Sequence, residues 1–383
     1  MTEKQIAQDG MYLVSCALNS QIPDQARVDA MDLDAVYLFA ARHMILATVA
    51  FALESAGCGD ERTRIVIAAA QRKAVLFQHE LSCVTKELEK QGIWYVLLKG
   101  AALQHDYPTF GMREMGDYDI LIDADRAADV KTIMEGLGFT KHRLSSSNHD
   151  VYHKEPVLSF EMHRTLFGPE HDPKLYGYYK SIHQRLLGDG CKKHFSPEDF
   201  YLYLLAHEYM HYCSGGTGLR SLMDTYVYLN KETLDMRYVA AEAEKLGIRM
   251  FEAQNRSLAL HLFGAGDLTG ADQSMLEYML SSGVFGTIEH KVSNKMRQRQ
   301  WTAPQYMLHR FFVPFSKKNK YYDLYAGVYP FFYRHKIFLP LLPVYRAFRA
   351  LINGRFKREA DALRKAKKAA DPRNDSQSGP KTE

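Results

Sequence analysis

The sequence predicts an α+β fold: a small mixed-sheet core flanked by N-terminal and C-terminal helical regions. Three observations lead there. Residues 1–91 carry apolar side chains at helical spacing, as in DLDAVYLFAARHMILATVAFALESAG and ERTRIVIAAAQRKAVLFQHELSCVTKELEKQ. From 93 the pattern changes to short apolar runs rich in branched and aromatic residues, IWYVLL and YDILID, each bounded by turn residues. After about 170 helical spacing returns, beginning with SPEDFYLYLLAHEYMHYC. The expected division is therefore a helical region at 1–91, the α+β core at 92–170, a helical domain at 171–300, an aromatic and basic helical region at 301–370 and a disordered tail at 371–383.

The elements follow in order. The most apolar stretch, 35–53, holds Arg42 and His43 near its middle, where a bilayer would penalise them, so it reads as one buried helix. Gly92 ends the following helix in C-cap fashion. IWYVLL is a buried strand that stops at Lys99-Gly100, YDILID a second strand, ADRAADVKTIMEGLG a helix, and VYHKEPVLSFEMHR a hairpin turning near Glu155-Pro156. Ser196 is the expected N-cap of the next helix, with Pro197 at its first position.

The five cysteines are odd in number and widely spaced, with no Cys-x-x-Cys pair, and the N-terminus lacks a secretory pattern; a reducing cytoplasm is the expected compartment. Net charge is +4, with the excess gathered in a C-terminal arm of Arg346, Arg349, Arg355, Lys357, Arg358, Arg364, Lys365, Lys367 and Lys368. Interleaved with aromatics, this arm suits a membrane surface or a nucleic acid. A packed helix with a solvated basic face is the plainer reading.

The chemistry concentrates in GDYDILID. Asp117 and Asp119 are two apart on a strand, so both leave one face while Ile120 and Ile122 enter the core. Side-by-side carboxylates repel unless a cation neutralises them, and a hard divalent ion such as Mg²⁺ serves. VLSFEMHR alternates the same way, directing Ser159, Glu161 and His163 to one side, so Glu161 can join the aspartates if the strands are neighbours. Lys99 and Gly100 stand where a strand meets a short helix, with backbone N–H groups for an anion, and Arg113 precedes the acids. Together these suit phosphoryl transfer, which depends on positioning and charge neutralisation.

LLKGAALQHDYPTFGMREMGDYDILID, followed by LSFEMHRTLF, resembles the uncharacterised nucleotidyltransferase family of bacteria, within the polymerase-beta-like nucleotidyltransferase superfamily. The resemblance implies Gly100 as the turn glycine, Asp117 and Asp119 as the metal pair and Glu161 as the third carboxylate. Lys99, Arg113 and His163 match positions the family tends to show, in nucleotide binding. It further implies Mg²⁺, with Mn²⁺ as an alternative ion, a nucleoside triphosphate such as ATP as substrate, and a small molecule, protein or RNA as acceptor. Ala101 stands where the superfamily usually has Ser or Gly, and the loop from Gly100 to Asp117 is long for its pattern.

LLAHEYMHYC raises a competing reading, a zinc-dependent hydrolase using His207, Glu208 and His211. A helical wheel places both histidines inward and Glu208 to one side. Ser214 and Thr217 occupy the positions where the extended zinc motif needs Gly and His. Arg220 and Asp224, four apart on the next helix, are expected near those histidines, and the named family resembles this too. A non-catalytic adaptor built on the same scaffold is the third reading.

Overall fold

The computed structural model describes residues 2–142, 148–168, 172–264, 266–311, 315–317, 322–352, 357 and 361–364. Arg355, Arg358, Lys365, Lys367 and Lys368 of the basic arm, and the expected tail at 371–383, lie outside them. The chain forms two compact units, one of residues 1–210 and 218–284, the other of 211–217 and 285–383.

The first unit opens with helices α1 (Glu3–Leu18), α2 (Gln25–Asp29), α3 (Leu33–His43), α4 (Leu46–Ser55) and α5 (Glu61–Lys90). The stretch expected to be one buried helix is two. Met44 takes a left-handed backbone (φ 52°) and caps α3 with its N–H on Ala40 and Ala41, so the chain bends before α4. His43 is fully buried at this bend, where Nδ1 accepts the Leu219 N–H at 3.4 Å.

Strand β1 (Tyr95–Leu97) leads into α6 (Lys99–Leu103), then β2 (Tyr118–Ile122), α7 (Ala127–Gly136) and β3 (Thr140–Lys141). The expected hairpin follows as β4 (His149–Lys154) and β5 (Leu158–His163), turning at Glu155-Pro156, which is cis. After α8 (Pro173–Tyr179) and β6 (Lys192–Lys193) come α9 (Pro197–Ser214), α10 (Leu219–Lys231), α11 (Met236–Leu246), α12 (Arg249–Phe263) and α13 (Gly270–Ser282). Ser196 caps α9 as expected, its hydroxyl accepting the Asp199 N–H at 3.1 Å.

The six strands form one mixed sheet in the order β3-β4-β5-β2-β1-β6. β2 runs parallel to β5 and antiparallel to β1, while β4 pairs antiparallel with β5. Strand alternation then sorts the side chains. Tyr118, Ile120 and Ile122 of β2 join Leu158, Phe160 and Met162 of β5 in one core, packed on Phe77, Val84 and Leu88 of α5 and on Val130, Ile133 and Met134 of α7. The Phe77 ring lies 4.6 Å from Tyr118 and 5.9 Å from Phe160, centroid to centroid. Each such buried side chain contributes about 1.5–3 kcal/mol. That burial obliges Asp119 and Glu161 to leave by the opposite face. All five residues of β2 are buried, so this second face is covered as well.

In the second unit, α14 (Ile288–Arg299), α15 (Ala303–Phe311), α16 (Tyr322–Val328), α17 (Pro330–Arg334) and α18 (Leu342–Ile352) hold two small apolar clusters. One consists of Tyr322, Tyr333, Leu339 and Leu342. No helix among the described residues is long and apolar enough to cross a membrane.

Candidate active site

Asp119 is the centre of the polar face of the sheet. Its register partner across the β2–β5 ladder is Glu161, so the two carboxylates leave neighbouring strands on the same side. Asp117 precedes β2 by one residue, two before Asp119. Lys99 Nζ donates to Asp119 Oδ1 at 2.8 Å, and His163 Nε2 donates to the same oxygen at 3.0 Å. Lys99 adopts a left-handed backbone (φ 41°), an unfavourable conformation for a side chain of its size, at the turn where β1 ends and its ammonium reaches Asp119.

The electrostatics differ sharply between the two aspartates. Burial opposes ionisation of Asp119, but the Lys99 ammonium and the His163 imidazole outweigh it and hold the carboxyl well below its usual range. Asp117 is pushed the other way, first by burial and then by the negative charge of Asp119, with Glu161 adding to it. Glu161 is kept ionised against its burial chiefly by the His163 hydrogen bond. Its Oε2 lies 3.4 Å from His163 Nε2 and 3.6 Å from His149 Nε2.

Three oxygen-donor carboxylates whose charges disfavour one another suit a hard divalent cation. Among the described residues one group of three has its ligand atoms within 4.8 Å of one another, His149, Glu161 and His163; Asp117 and Asp119 are not in that group. His149 escaped the sequence reading because its place opposite His163 depends on the hairpin register.

Two further residues come from distant helices. Lys73 of α5 is half-buried and feels Glu114 and Asp117. Tyr203, fully buried in α9, has its hydroxyl pushed up by burial and then by Asp119, with Glu161 and Asp117 contributing. Its spacing in sequence reads only as core.

Gly100 is fixed by crowding. A Cβ there would sit 2.2 Å from Arg113 Nη1 and 2.5 Å from Met115 Cε. Of the amides expected to serve an anion at this turn, one is already engaged. α6 has only five residues, too few to develop a macrodipole, and the Ala101 N–H already donates to the Leu98 carbonyl at 3.0 Å. Arg113, expected to steady phosphate, is buried and bound to Asp224 of α10: Nε donates to Oδ1 and Nη2 to Oδ2, both at 2.7 Å. Tyr107 donates its hydroxyl to the same carboxylate at 2.6 Å. Arg220 is half-buried, donates to the Glu114 carbonyl at 3.3 Å and lies close enough to lower the Asp117 carboxyl.

The inward placement of His207 and His211 is corrected. His211 is exposed and His207 half-buried, whereas Glu208 is buried, accepting from the Ser221 hydroxyl at 2.9 Å. Residues 199–206 of α9 are buried without interruption, so the helix is enclosed on nearly all sides and its apolar stripe does not define a single inward face. Among the described residues no third His, Cys, Asp or Glu joins the pair in a metal-ligand cluster.

Burial pushes the Glu208 carboxyl up to about 8 from its ordinary 4.5, and the folded protein holds it neutral at pH 7. Because the folded value lies above the unfolded one, its stabilising contribution is complete below about pH 4.5 and lost as pH rises through about 8. Glu208→Gln is therefore expected to match the wild type near pH 5 and to exceed it at pH 8. The gain is of order 1.4 kcal/mol per unit of displacement. Urea unfolding at the two pH values checks this; parallel stability profiles would contradict a neutral buried carboxyl.

A cavity of about 770 Å³ opens beside β1 and β6, lined by Tyr95, Ala101, His105, Lys192, Phe200 and Lys231 among others. Asp117, Asp119 and Glu161 do not line it.

The mixed sheet carries an Asp-x-Asp pair and, in register with Asp119 on the neighbouring strand, a third carboxylate, with a lysine at the turn before them, an arrangement suited to phosphoryl transfer. A family model, that of the uncharacterised nucleotidyltransferases, matches residues 29–264, and the chain belongs to this family. The match is wider than the motif-bearing segment and includes α3 to α12. No curated protein and no solved structure matches the chain.

Proposed function

We propose that this nucleotidyltransferase moves a nucleoside monophosphate from a nucleoside triphosphate to a hydroxyl of an acceptor. The acceptor oxygen bonds the α-phosphorus, the bond from that phosphorus to the bridging oxygen breaks, and pyrophosphate leaves. The observation that carries this reading is the register pairing of Asp119 with Glu161 on one face of the sheet, beside Asp117.

Asp117, Asp119 and Glu161 would hold Mg²⁺ or Mn²⁺, which when bound neutralises phosphate charge. The remaining work falls to the chain itself. Lys99 fixes Asp119 in its ionised state and presents a cation at the turn. Lys73 and Arg220, near Asp117, suit the phosphate contacts for which Arg113 is already engaged by Asp224. Glu161, held ionised by His163, is placed to accept the proton of the attacking hydroxyl. Tyr203, buried in α9, feels the charge of Asp119 and supplies a neutral hydroxyl near the cluster.

The test offers each of the four labelled triphosphates with Mg²⁺ and cell extract, using small-molecule, protein and RNA fractions as acceptors. Label is expected to enter one fraction with the wild type and not with Asp117→Ala. Equal labelling by both proteins would overturn the assignment.

A further inference from the structure

Between Leu324 and Arg358 the sequence has no Asp or Glu, while Arg334, Lys336, Arg346 and Arg349 fall among aromatic and aliphatic residues. The structure turns this composition into a surface. Leu342 at the start of α18 is fully buried against Tyr322, Tyr333 and Leu339, which fixes the inner side of the helix. Leu341 directly precedes α18, and at 100° per residue Val344, Phe348 and Ile352 fall in an arc of about 80° on the outer side. These four are 55%, 67%, 64% and 69% exposed, and Ile337 just before them is 84% exposed. Here an amphipathic helix directs its apolar face away from its own core, the reverse of ordinary packing.

We infer that this face docks on an anionic lipid bilayer, with α18 lying in the plane of the interface and Arg334, Lys336 and Arg349 meeting the headgroups. Eleven residues span about 16 Å, well short of the roughly 30 Å hydrocarbon core, so the helix lies on the membrane and does not cross it. Leu341, Val344 and Ile352 insert among acyl chains but offer neither stacking planes nor hydrogen bonds to a nucleic acid, and Phe348 is the one ring among these four. A twofold contact with a second copy would bring the same cations against themselves without carboxylates to pair them. Anionic lipid supplies both the apolar depth and the missing negative charge. The inference is independent of the catalytic reading.

The experiment is flotation of the full chain with vesicles of phosphatidylcholine alone and of phosphatidylcholine with about one-third phosphatidylglycerol. The wild type is expected to float with the anionic vesicles and to bind neutral ones at least about tenfold more weakly. Val344→Glu/Phe348→Glu is expected to lose about tenfold or more in affinity for the anionic vesicles, since two exposed apolar side chains become charged. Because these side chains point outward, far-UV circular dichroism should be unchanged. Arg334→Glu/Lys336→Glu, which leaves the apolar face intact, provides the second variant and should weaken binding with a reduced salt dependence. Equal affinity for neutral vesicles, unaltered binding by both variants, or absence of vesicle binding overturns the inference. So does a wild-type dimer that Val344→Glu/Phe348→Glu converts to monomer, or binding of a ribo-oligonucleotide in place of vesicles.

Discussion

Asp119→Asn is expected to lower nucleotidyl transfer by at least about a thousandfold, a loss of roughly 4 kcal/mol in transition-state stabilisation, while leaving the protein folded. The substitution keeps the side chain's shape and an oxygen for the Lys99 ammonium. It removes the one carboxylate that Lys99, His163, Asp117 and Glu161 all sense. The like-charge repulsion acting on Asp117 falls at the same time and offsets part of the stability lost with the charge pairing to Lys99 and His163, so the protein should fold with reduced stability although activity disappears. Transfer of labelled nucleotide and a urea melt, measured on one preparation, separate the two effects. An active Asp119→Asn protein would remove the proposed chemistry, and an unfolded one would assign Asp119 to structure instead.

The largest loss of stability is expected at Asp224. Its carboxylate receives two hydrogen bonds from a buried guanidinium and one from Tyr107. Truncation to Ala leaves Arg113 charged and out of reach of water, which typically costs about 3–5 kcal/mol. Replacing both partners, as Asp224→Ala/Arg113→Met, should recover most of it, because no unpaired charge remains. A single variant losing less than about 1 kcal/mol would mean that water or another carboxylate reaches Arg113.

What the sequence discloses and what it conceals both follow from the range of the interactions. Strand alternation is local, so the shared side of Asp119 and Glu161, the hairpin at Glu155-Pro156 and the cap at Ser196 could be read directly, whereas Asp117 falls just outside β2. The parallel pairing of β2 with β5 joins segments about forty residues apart; the motif allowed it but could not set its register. His149 and Lys73 reach the site only through such long-range packing. Lys73 in particular sits in a helix whose charges have varied partners, Glu80 pairing with Lys154 and Arg62 with Asp34, so nothing in the sequence singles it out. The wheel failed at α9 for the converse reason. A helix surrounded by protein on nearly every side has no outside, so Glu208 can be buried while His211 meets solvent. At Arg113, proximity in sequence to the acids suggested a phosphate ligand, whereas the partner that claims it lies more than a hundred residues away.

The tight fit at Gly100 carries a lesson for redesign. Any side chain there would strike the guanidinium that Asp224 holds from α10, so the turn presenting Lys99 and the helix carrying Asp224 are set against each other like parts of one lock. A foreign helical layer grafted onto this sheet would therefore leave the turn as it is only if the graft brought an acid to the same spot.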